Sequence, residues 1–137
     1  MKHLLKILIY TLLMPVSVSY GQATSYCDTI YNTFETIPQY DKDFKGLTSY
    51  LINELAPIIG DCMERDSTII ASLFIILTID SQGKVVDAAF SRPNLTAICK
   101  TDLKKKLLTM NGWTAGQVNG QPVCRIFNWP IRCLKWE

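Results

Sequence analysis

Residues 68–90 read TIIASLFIILTIDSQGKVVDAAF, and the first half of this stretch is the strongest strand signal in the chain. Over residues 68–80, β-branched and aromatic side chains dominate, as they do in strands that pack on a core. Because successive side chains of a strand point to opposite faces, alternate apolar residues define one buried face. Those residues are Ala71, Leu73, Ile75, Leu77 and Ile79. The opposite face mixes polar and apolar residues, so we expect it to be partly exposed.

A tight turn and a second strand complete this stretch. The turn is expected at Asp80, Ser81, Gln82 and Gly83, where Gly83 can take a left-handed conformation without steric cost. Residues 84–90 then return as a strand, whose apolar face is expected to carry Val86, Ala88 and Phe90. Residues 68–90 therefore predict an antiparallel β-hairpin.

Helical patterns lie on both sides of the hairpin. Before it, apolar residues recur at spacings of three and four, which is typical of an amphipathic helix: Leu47, Tyr50, Leu51 and Leu55. We expect Pro57 to end this helix, because the residue before a proline avoids the helical region, and residues 58–67 to form a loop. After the hairpin, residues 95–110 predict a second helix, N-capped by Asn94 or Thr96. Its buried stripe contains Leu103, Leu107 and Met110, extended by Ile98 or Cys99.

The last strand is predicted over residues 123–134. It contains Pro130, which cannot donate a hydrogen bond to a neighbouring strand, so the strand lies at a sheet edge or contains a bulge. The element order is helix-strand-strand-helix-strand, and an antiparallel sheet then places the last strand beside the first. We therefore expect an α+β fold, a small two-layer α/β sandwich. Its three-stranded antiparallel sheet, in the order 2-1-3, is covered by two helices on the face that carries Leu73, Ile75 and Leu77.

The first 23 residues have the three regions of a secretory signal. Lys2 and Lys6 precede an apolar run over residues 7–18, and small residues follow at Ser19, Gly21 and Ala23. The run is shorter than the roughly 20 apolar residues of a spanning helix, so we expect cleavage and a location in the periplasm or outside the cell. An uncleaved anchor is the alternative. The expected organisation is a signal at 1–23, an irregular mature segment at 24–43 and a folded domain at 44–137.

Removal of this signal limits the chemistry that the chain can perform. The 137 residues have a net charge of +2, but without Lys2 and Lys6 the 12 remaining basic side chains match 12 acidic ones. A neutral domain lacks the clustered basic face that nucleic-acid binding needs. The single histidine is His3, so a mature domain would have none for a nucleophile pair, a zinc site or a general base. We expect no catalysis, no cofactor, no metal and no nucleic-acid partner.

The mature part retains five cysteines: Cys27, Cys62, Cys99, Cys124 and Cys133. In an oxidising compartment they allow at most two intramolecular disulfides and leave one thiol over. Cys124 and Cys133 would lie roughly 30 Å apart on one strand, too far to pair. The expected topology places Cys62, Cys99 and Cys133 at one end of the sheet and favours Cys62–Cys99 over Cys62–Cys133. Cys27 either ties down the irregular segment or is the leftover thiol, and a thiol-active protein is one alternative function.

The order of elements and several motifs resemble the TonB C-terminal domain family, in the form common in Bacteroidetes envelopes. The resemblance covers residues 44–137. Its motifs are the helix closed by Pro57, IDSQGKV at 79–85, WTAGQVNGQPV at 113–123 and WPI at 129–131. The chain departs from the family at Asn111-Gly112 and at Ala115, where prolines are usual. Within the longest motif we expect Trp113 to pack the second helix against the sheet, and three residues to serve turns with positive φ: Gly116, Asn119 and Gly120.

The resemblance implies binding by β-augmentation, in which an extended segment of an outer-membrane receptor adds to an exposed sheet edge. That edge would be the third strand, residues 123–132, which begins at Val123. Its backbone would pair with the protein partner, and Arg125, Phe127 and Trp129 would supply side-chain selectivity. A homodimer could form through the same edge. The alternative is that Pro130 and Arg132 protect the edge from aggregation.

A complete energy transducer also needs a membrane anchor and a long, stiff linker. Residues 23–44 reach roughly 70 Å at most when fully extended, and they lack the proline-rich composition of a stiff spacer. We therefore expect a stand-alone exported binding module. A membrane-tethered transduction component is the alternative if the signal is retained.

Overall fold

The structure is a computed structural model that describes residues 27–31, 35–41, 44–91 and 95–132. The expected signal at 1–23, with His3, lies outside these residues, as do Asn94 and Cys133. Among the described residues, no helix has both the length and the apolar character needed to cross a membrane.

The elements follow one another in the predicted order, with additional short strands. The helical elements are α1 (Phe44–Tyr50), a π-helical turn (Leu51–Leu55), α2 (Ala56–Arg65) and α3 (Ala97–Leu107). The strands are β1 (Gln39–Tyr40), β2 (Ser72–Ile79), β3 (Val85–Phe90), β4 (Trp113–Thr114), β5 (Gly116–Val118), β6 (Gln121–Val123) and β7 (Arg125–Arg132).

The main sheet has three antiparallel strands in the order β3-β2-β7, which confirms the expected order and the α+β class. Four alternate residues of the central strand β2 are at most 1% exposed: Leu73, Ile75, Leu77 and Ile79. They pack with buried residues of the helical layer, including Leu55, Ile59, Leu103 and Leu107. On the opposite face of β2, Ser72 and Phe74 are exposed. The two layers therefore enclose one core and leave one face of the sheet partly open.

The expected end of the first helix at Pro57 is wrong, because the chain continues as α2 to Arg65. Inside a regular helix, a proline loses a hydrogen bond and clashes with the carbonyl four residues earlier. Here the π turn widens the backbone, and the Ala56 N–H donates to the Leu51 carbonyl five residues earlier. Pro57 then lies in the first turn of α2, where a missing N–H is tolerated. Residues 58–65 are consequently helical rather than a loop.

The expected inward face of β3 is also partly wrong. The register passes from Thr78 opposite Asp87 to Ile79 opposite Val85, so Val86 is the extra residue of a β-bulge. The bulge turns Val85 into the core, where it is 1% exposed, while Val86 is only half-buried. Ala88 is buried as expected and Phe90 is half-buried. Ala71, expected on the inward face of the first strand, precedes β2 and is exposed.

The turn between β2 and β3 is held by one buried carboxylate. Asp80 is 2% exposed, and its Oδ1 accepts hydrogen bonds from the N–H groups of Gln82 (2.9 Å) and Lys84 (2.8 Å). Gly83 has the expected positive φ, 79°. The turn also packs on Trp113, so that a Cβ at position 83 would collide with the Trp113 carbonyl oxygen. Gly83 therefore satisfies two requirements at once, a left-handed backbone and a close approach.

A disulfide joins the two helices. Cys62 near the end of α2 is bonded to Cys99 near the start of α3, with a Cα–Cα distance of 5.7 Å, which is the pairing that the topology favoured. The N-cap of α3 is Thr96, whose hydroxyl accepts from the Cys99 N–H (3.3 Å) and donates to the Asp66 carboxylate (2.7 Å). The disulfide and the hydrogen bond from Thr96 to Asp66 thus both join the end of α2 to the start of α3. Cys99, rather than Ile98, extends the buried stripe, since Ile98 is 61% exposed.

A hydrogen bond from Tyr50 joins α1 to the end of α3. The half-buried Tyr50 hydroxyl donates to the Lys106 carbonyl at 3.1 Å. Burial raises the pKa of Tyr50 to about 12, and the charges of Tyr40 and Glu54 add to this, while a hydrogen bond with the Thr109 side chain acts in the opposite direction. The folded protein therefore favours the neutral phenol.

We expect Gly83→Ala to lower the free energy of unfolding by about 2 kcal/mol or more, because alanine there combines a positive φ with the collision at Trp113. Gly60→Ala is the matched control. A Cβ at helical, exposed Gly60 meets no atom within 4 Å, so that variant should gain about 0.5–1 kcal/mol. Urea denaturation of both variants measures the difference, and a Gly83→Ala protein as stable as the parent would contradict this account of the turn.

Tyr50 also predicts a loss of stability in alkali. Its folded pKa lies above the unfolded value of 10, so its contribution is complete below pH 10 and is lost as the pH rises towards about 12. Tyr50→Phe should cost about 0.5–1.5 kcal/mol at neutral pH through the missing hydrogen bond. It should also flatten the fall in stability in that alkaline range. Denaturation of both proteins across the range tests this, with tyrosinate absorbance as the titration signal; equal alkaline slopes would contradict the assignment.

Candidate functional site

The site that the topology singles out is the outer edge of β7. This strand pairs with β2 through eight residue pairs, from Ser72 opposite Arg132 to Ile79 opposite Arg125. No described strand pairs with its other side. An unpaired strand edge presents a row of backbone donors and acceptors that can template another strand.

One hydrogen bond establishes which backbone groups of β7 face outward. The Phe74 carbonyl accepts from the Ser91 N–H at 2.9 Å, so Phe74 and the other even-numbered residues of β2 direct their backbone towards β3. The odd-numbered residues of β2 therefore bond to β7, where their partners are Arg125, Phe127, Trp129 and Ile131. It follows that the outward-facing residues of β7 are Ile126, Asn128, Pro130 and Arg132.

Pro130 thus lies at an outward-facing position, where its missing N–H takes no bond from the sheet. Of the two expected settings for Pro130, a sheet edge or a bulge, the structure shows the edge. The edge retains N–H donors at Ile126, Asn128 and Arg132, and carbonyl acceptors at all four outward-facing residues. These groups extend over about 20 Å.

Two of the three β7 side chains that were expected to supply selectivity are buried in the structure. Arg125 and Trp129 are each only 5% exposed, because odd-numbered positions of β7 face the helical layer. Phe127 is half-buried and packs edge-to-face on Trp113, with ring centroids 4.8 Å apart. Val123, the expected start of the edge, belongs instead to the separate β5–β6 hairpin. The accessible side chains are those at even positions, such as Ile126, which is 37% exposed.

Trp113 is a core residue, 6% exposed, and its ring lies between those of Tyr40 and Phe127. The tryptophan therefore packs the β1–β4 pair onto the sheet. The β5–β6 hairpin turns at Asn119 and Gly120, whose φ values of 51° and 72° match the expectation of positive φ. Gly116, expected to serve a turn in the same way, does not have a positive φ.

Gly116 is required for space instead. A Cβ there would lie 2.5 Å from Arg125 Cδ and 2.9 Å from the Thr36 carbonyl oxygen. The Arg125 side chain passes beneath this glycine and donates from Nη1 to the Thr36 carbonyl at 2.7 Å. Among the described residues, no carboxylate forms an ion pair with Arg125, and its Nε is buried without a partner. Arg125 therefore acts as a clamp on the segment that contains Thr36.

That segment is the part of the chain that sequence analysis placed in an irregular stretch. We name the described residues 27–31 and 35–41 the strap. Its second part is held at several points: β1 pairs with β4, Thr36 bridges to Gln117, and the Glu35 carboxylate accepts from the Asn119 N–H. Its first part meets the edge of the sheet directly before β7, where the Tyr31 N–H donates to the Cys124 carbonyl at 3.2 Å.

A second disulfide, Cys27–Cys124, ties the first part of the strap to the same place. Residues 28–31 are exposed. Within the described part of the chain they form one backbone hydrogen bond to the domain, which contributes about 0.5–1.5 kcal/mol. Ordering costs about 1–2 kcal/mol per residue, so that bond alone cannot hold them in place. The covalent bond at Cys27 therefore supplies an anchor on the N-terminal side of Tyr31, and Glu35 and Thr36 supply anchors on its C-terminal side. With two bridges formed among the described cysteines, the thiol-based alternative depends on Cys133 alone.

The strap and the sheet form the two sides of an open groove of about 460 Å³ beside the start of β7. Tyr31 and Ile37 line it from the strap, and both side chains are exposed, by 40% and 58%. Five residues line it from the sheet: Ile76, Arg125, Ile126, Phe127 and Asn128. The groove is largely apolar and adjoins the outward-facing backbone of Ile126 and Asn128.

The sequence predicted the β7 edge but not the part of the strap that lines the groove. Nothing in the periodicity of residues 24–43 marks Tyr31 or Ile37, and the one signal was Cys27 as a possible tie. Among the described residues there is no cluster of three or more side chains suited to hold a metal ion. No family model, curated protein or solved structure matches this chain.

Amide hydrogen exchange tests which side of β7 is free. We expect the N–H groups of Phe127, Trp129 and Ile131 to exchange about 100-fold or more slowly than those of Ile126 and Asn128, because only the former bond to β2. Two-dimensional NMR in heavy water measures each amide. The reverse pattern would mean that the sides are exchanged, and uniform protection would mean that a further strand already covers the edge.

Proposed function

We propose that this chain is an exported protein-binding module that adds an extended partner segment to the outer edge of β7. One observation carries the proposal: three N–H donors and four carbonyl acceptors lie along the edge from Ile126 to Arg132, beside a groove of about 460 Å³. An added strand would satisfy these groups in the manner of β-augmentation. No catalytic step, cofactor or metal is part of this function.

Backbone pairing alone would give modest affinity. Each new hydrogen bond contributes about 0.5–1.5 kcal/mol, and ordering a flexible peptide opposes binding by a comparable amount per residue. Burial of apolar side chains in the groove adds roughly 25 cal/mol per Å² of apolar surface removed from water. The proposal therefore implies that recognition depends on both the edge and the groove.

The other outer strand of the sheet, β3, is less suited to strand addition. Its β-bulge at Val86 interrupts the regular spacing of backbone groups that an added strand needs. Next to this bulge, Asp87 forms an ion pair with Lys104 of α3. The outward groups of β7 keep a regular register over all eight residues.

The motifs of the sequence support the same proposal. WTAGQVNGQPV at residues 113–123 and WPI at 129–131 resemble the TonB C-terminal domain family, in which a partner segment pairs with the last strand. The signal-like residues 1–23 support export to the periplasm or beyond the cell. We infer a protein partner with an extended segment, of which a receptor of the outer membrane is one example. The shortness of residues 23–44 favours a stand-alone module over a tethered transducer.

Asn128→Pro tests this function. The Asn128 N–H points away from β2, so the substitution removes an edge donor without breaking the sheet, whereas Asn128→Thr keeps the donor as a matched control. Peptides selected from a displayed random library on the parent protein should bind Asn128→Pro at least roughly tenfold more weakly, and Asn128→Thr nearly unchanged. NMR titration of the Ile126, Asn128 and Arg132 amides locates the binding.

Three results would count against the proposal. Failure of the parent protein to select any peptide would support the view that Pro130 and Arg132 keep the edge unpaired. Equal binding by Asn128→Pro would move the site away from β7. Concentration-dependent dimerisation that Asn128→Pro abolishes, without peptide binding, would show that the edge serves a second copy of the chain instead.

A further inference from the structure

The two strap residues that line the groove are held in different ways. Ile37 follows Thr36, which is fixed by the bridge to Gln117 and by the Arg125 clamp. For Tyr31, the one backbone hydrogen bond to another described residue goes to the Cys124 carbonyl, and the disulfide of Cys27 lies four residues before it. On its N-terminal side, Tyr31 is therefore anchored by this disulfide.

The strap also closes one end of the edge. The Cys124 carbonyl directly precedes β7 and already accepts the Tyr31 N–H, so it offers no acceptor to an incoming strand. A partner segment that pairs along Ile126–Arg132 must therefore end or turn away where it meets Tyr31. The strap therefore restricts the register of the added strand, because a shift towards Cys124 would make the partner segment collide with Tyr31.

The groove at this closed end fits an uncharged side chain. Its lining is mainly apolar, with Tyr31, Ile37, Ile76, Ile126 and Phe127, and none of the described residues that line it is acidic. Among the described lining residues, the charged one is Arg125, which is 5% exposed and donates to the Thr36 carbonyl. A branched aliphatic residue of the partner would bury its surface against Ile37 and Ile126, while a charged residue would be desolvated without a counter-ion.

We propose that the Cys27–Cys124 disulfide determines specificity: by holding Tyr31 as one wall of the groove, it makes the site select an extended segment with an aliphatic residue at the position next to the strap. This inference rests on the proposed function, since it needs a strand to be added at β7. It extends that function by naming the chemical class of the partner residue and the bond on which its selection depends.

A double-mutant cycle between protein and peptide tests the proposal. The strongest peptide selected on the parent protein is synthesised with blocked ends, with and without alanine in place of its strap-proximal aliphatic residue. We expect the alanine peptide to bind the parent roughly tenfold more weakly, and the two peptides to bind Cys27→Ser/Cys124→Ser nearly equally. Fluorescence anisotropy measures the dissociation constants, in a Cys133→Ser background that prevents thiol exchange.

Two single variants keep the test decisive if the double serine variant does not fold. Tyr31→Ala leaves both disulfides in place and should reduce the preference for the aliphatic peptide. Ile30→Ala is the matched control, because Ile30 is equally exposed, at 41%, but does not line the groove. Protection of the Trp129 and Ile131 amides verifies that each variant keeps the sheet.

The outcomes separate the two proposals. If the parent binds peptides at β7 but the aliphatic preference persists in Cys27→Ser/Cys124→Ser and in Tyr31→Ala, the disulfide has no role in specificity and the binding function stands. If the peptides select charged residues at the strap-proximal position, the assigned chemistry is wrong. If the parent binds no peptide, the proposed function fails, and the inference that rests on it fails too.

Discussion

The pairing of β2 with β7 over eight residues is the constraint on which the rest of the molecule depends. Strand geometry couples two properties that sequence patterns treat separately, the face that a side chain occupies and the side to which its backbone bonds. In β7 the odd-numbered residues point their side chains into the core and their backbone groups at β2. The even-numbered residues point their side chains to the open face of the sheet and their backbone groups away from β2. A slip of one residue would therefore bury Asn128 and Arg132 and also remove the free edge at its present positions.

Much of this framework could be predicted from the chain because it follows from local rules. The alternation from Leu73 to Ile79 predicted a central buried strand, and Gly83 predicted the turn that returns it. Pro130 predicted an edge, since a proline in a central strand would leave a neighbour's carbonyl without a donor. These residues act through geometry that is shared by all strands and turns.

The expectations that were wrong involve compensation between neighbouring residues. A proline such as Pro57 would end a regular helix, but the helix continues here because a π turn precedes the proline. The hydrophobic periodicity of the sequence does not predict such a turn. Val86 fits the alternating pattern of inward-facing residues, but the bulge shifts that pattern by one residue, so that Val85 faces the core instead. Gly116 allows close packing against Arg125 and against Thr36, and Thr36 is distant in sequence. The contribution of the strap to the groove was not predicted for the same reason. The position of Tyr31 depends on contacts with distant residues, such as Cys124, and the sequence around Tyr31 has no pattern that indicates it.

The two disulfides are nested: Cys62–Cys99 lies inside the loop closed by Cys27–Cys124, and the two bridges span 37 and 97 residues. In the export that we propose, the cysteines emerge in chain order, and oxidation in that order would join Cys27 to Cys62. Native connectivity therefore requires Cys27 to stay reduced, or to exchange partners, until Cys124 has followed it out of the membrane. The Cys27–Cys124 bridge can therefore form only after both Cys62 and Cys99 have emerged, so the covalent anchor of Tyr31 is completed late in that export.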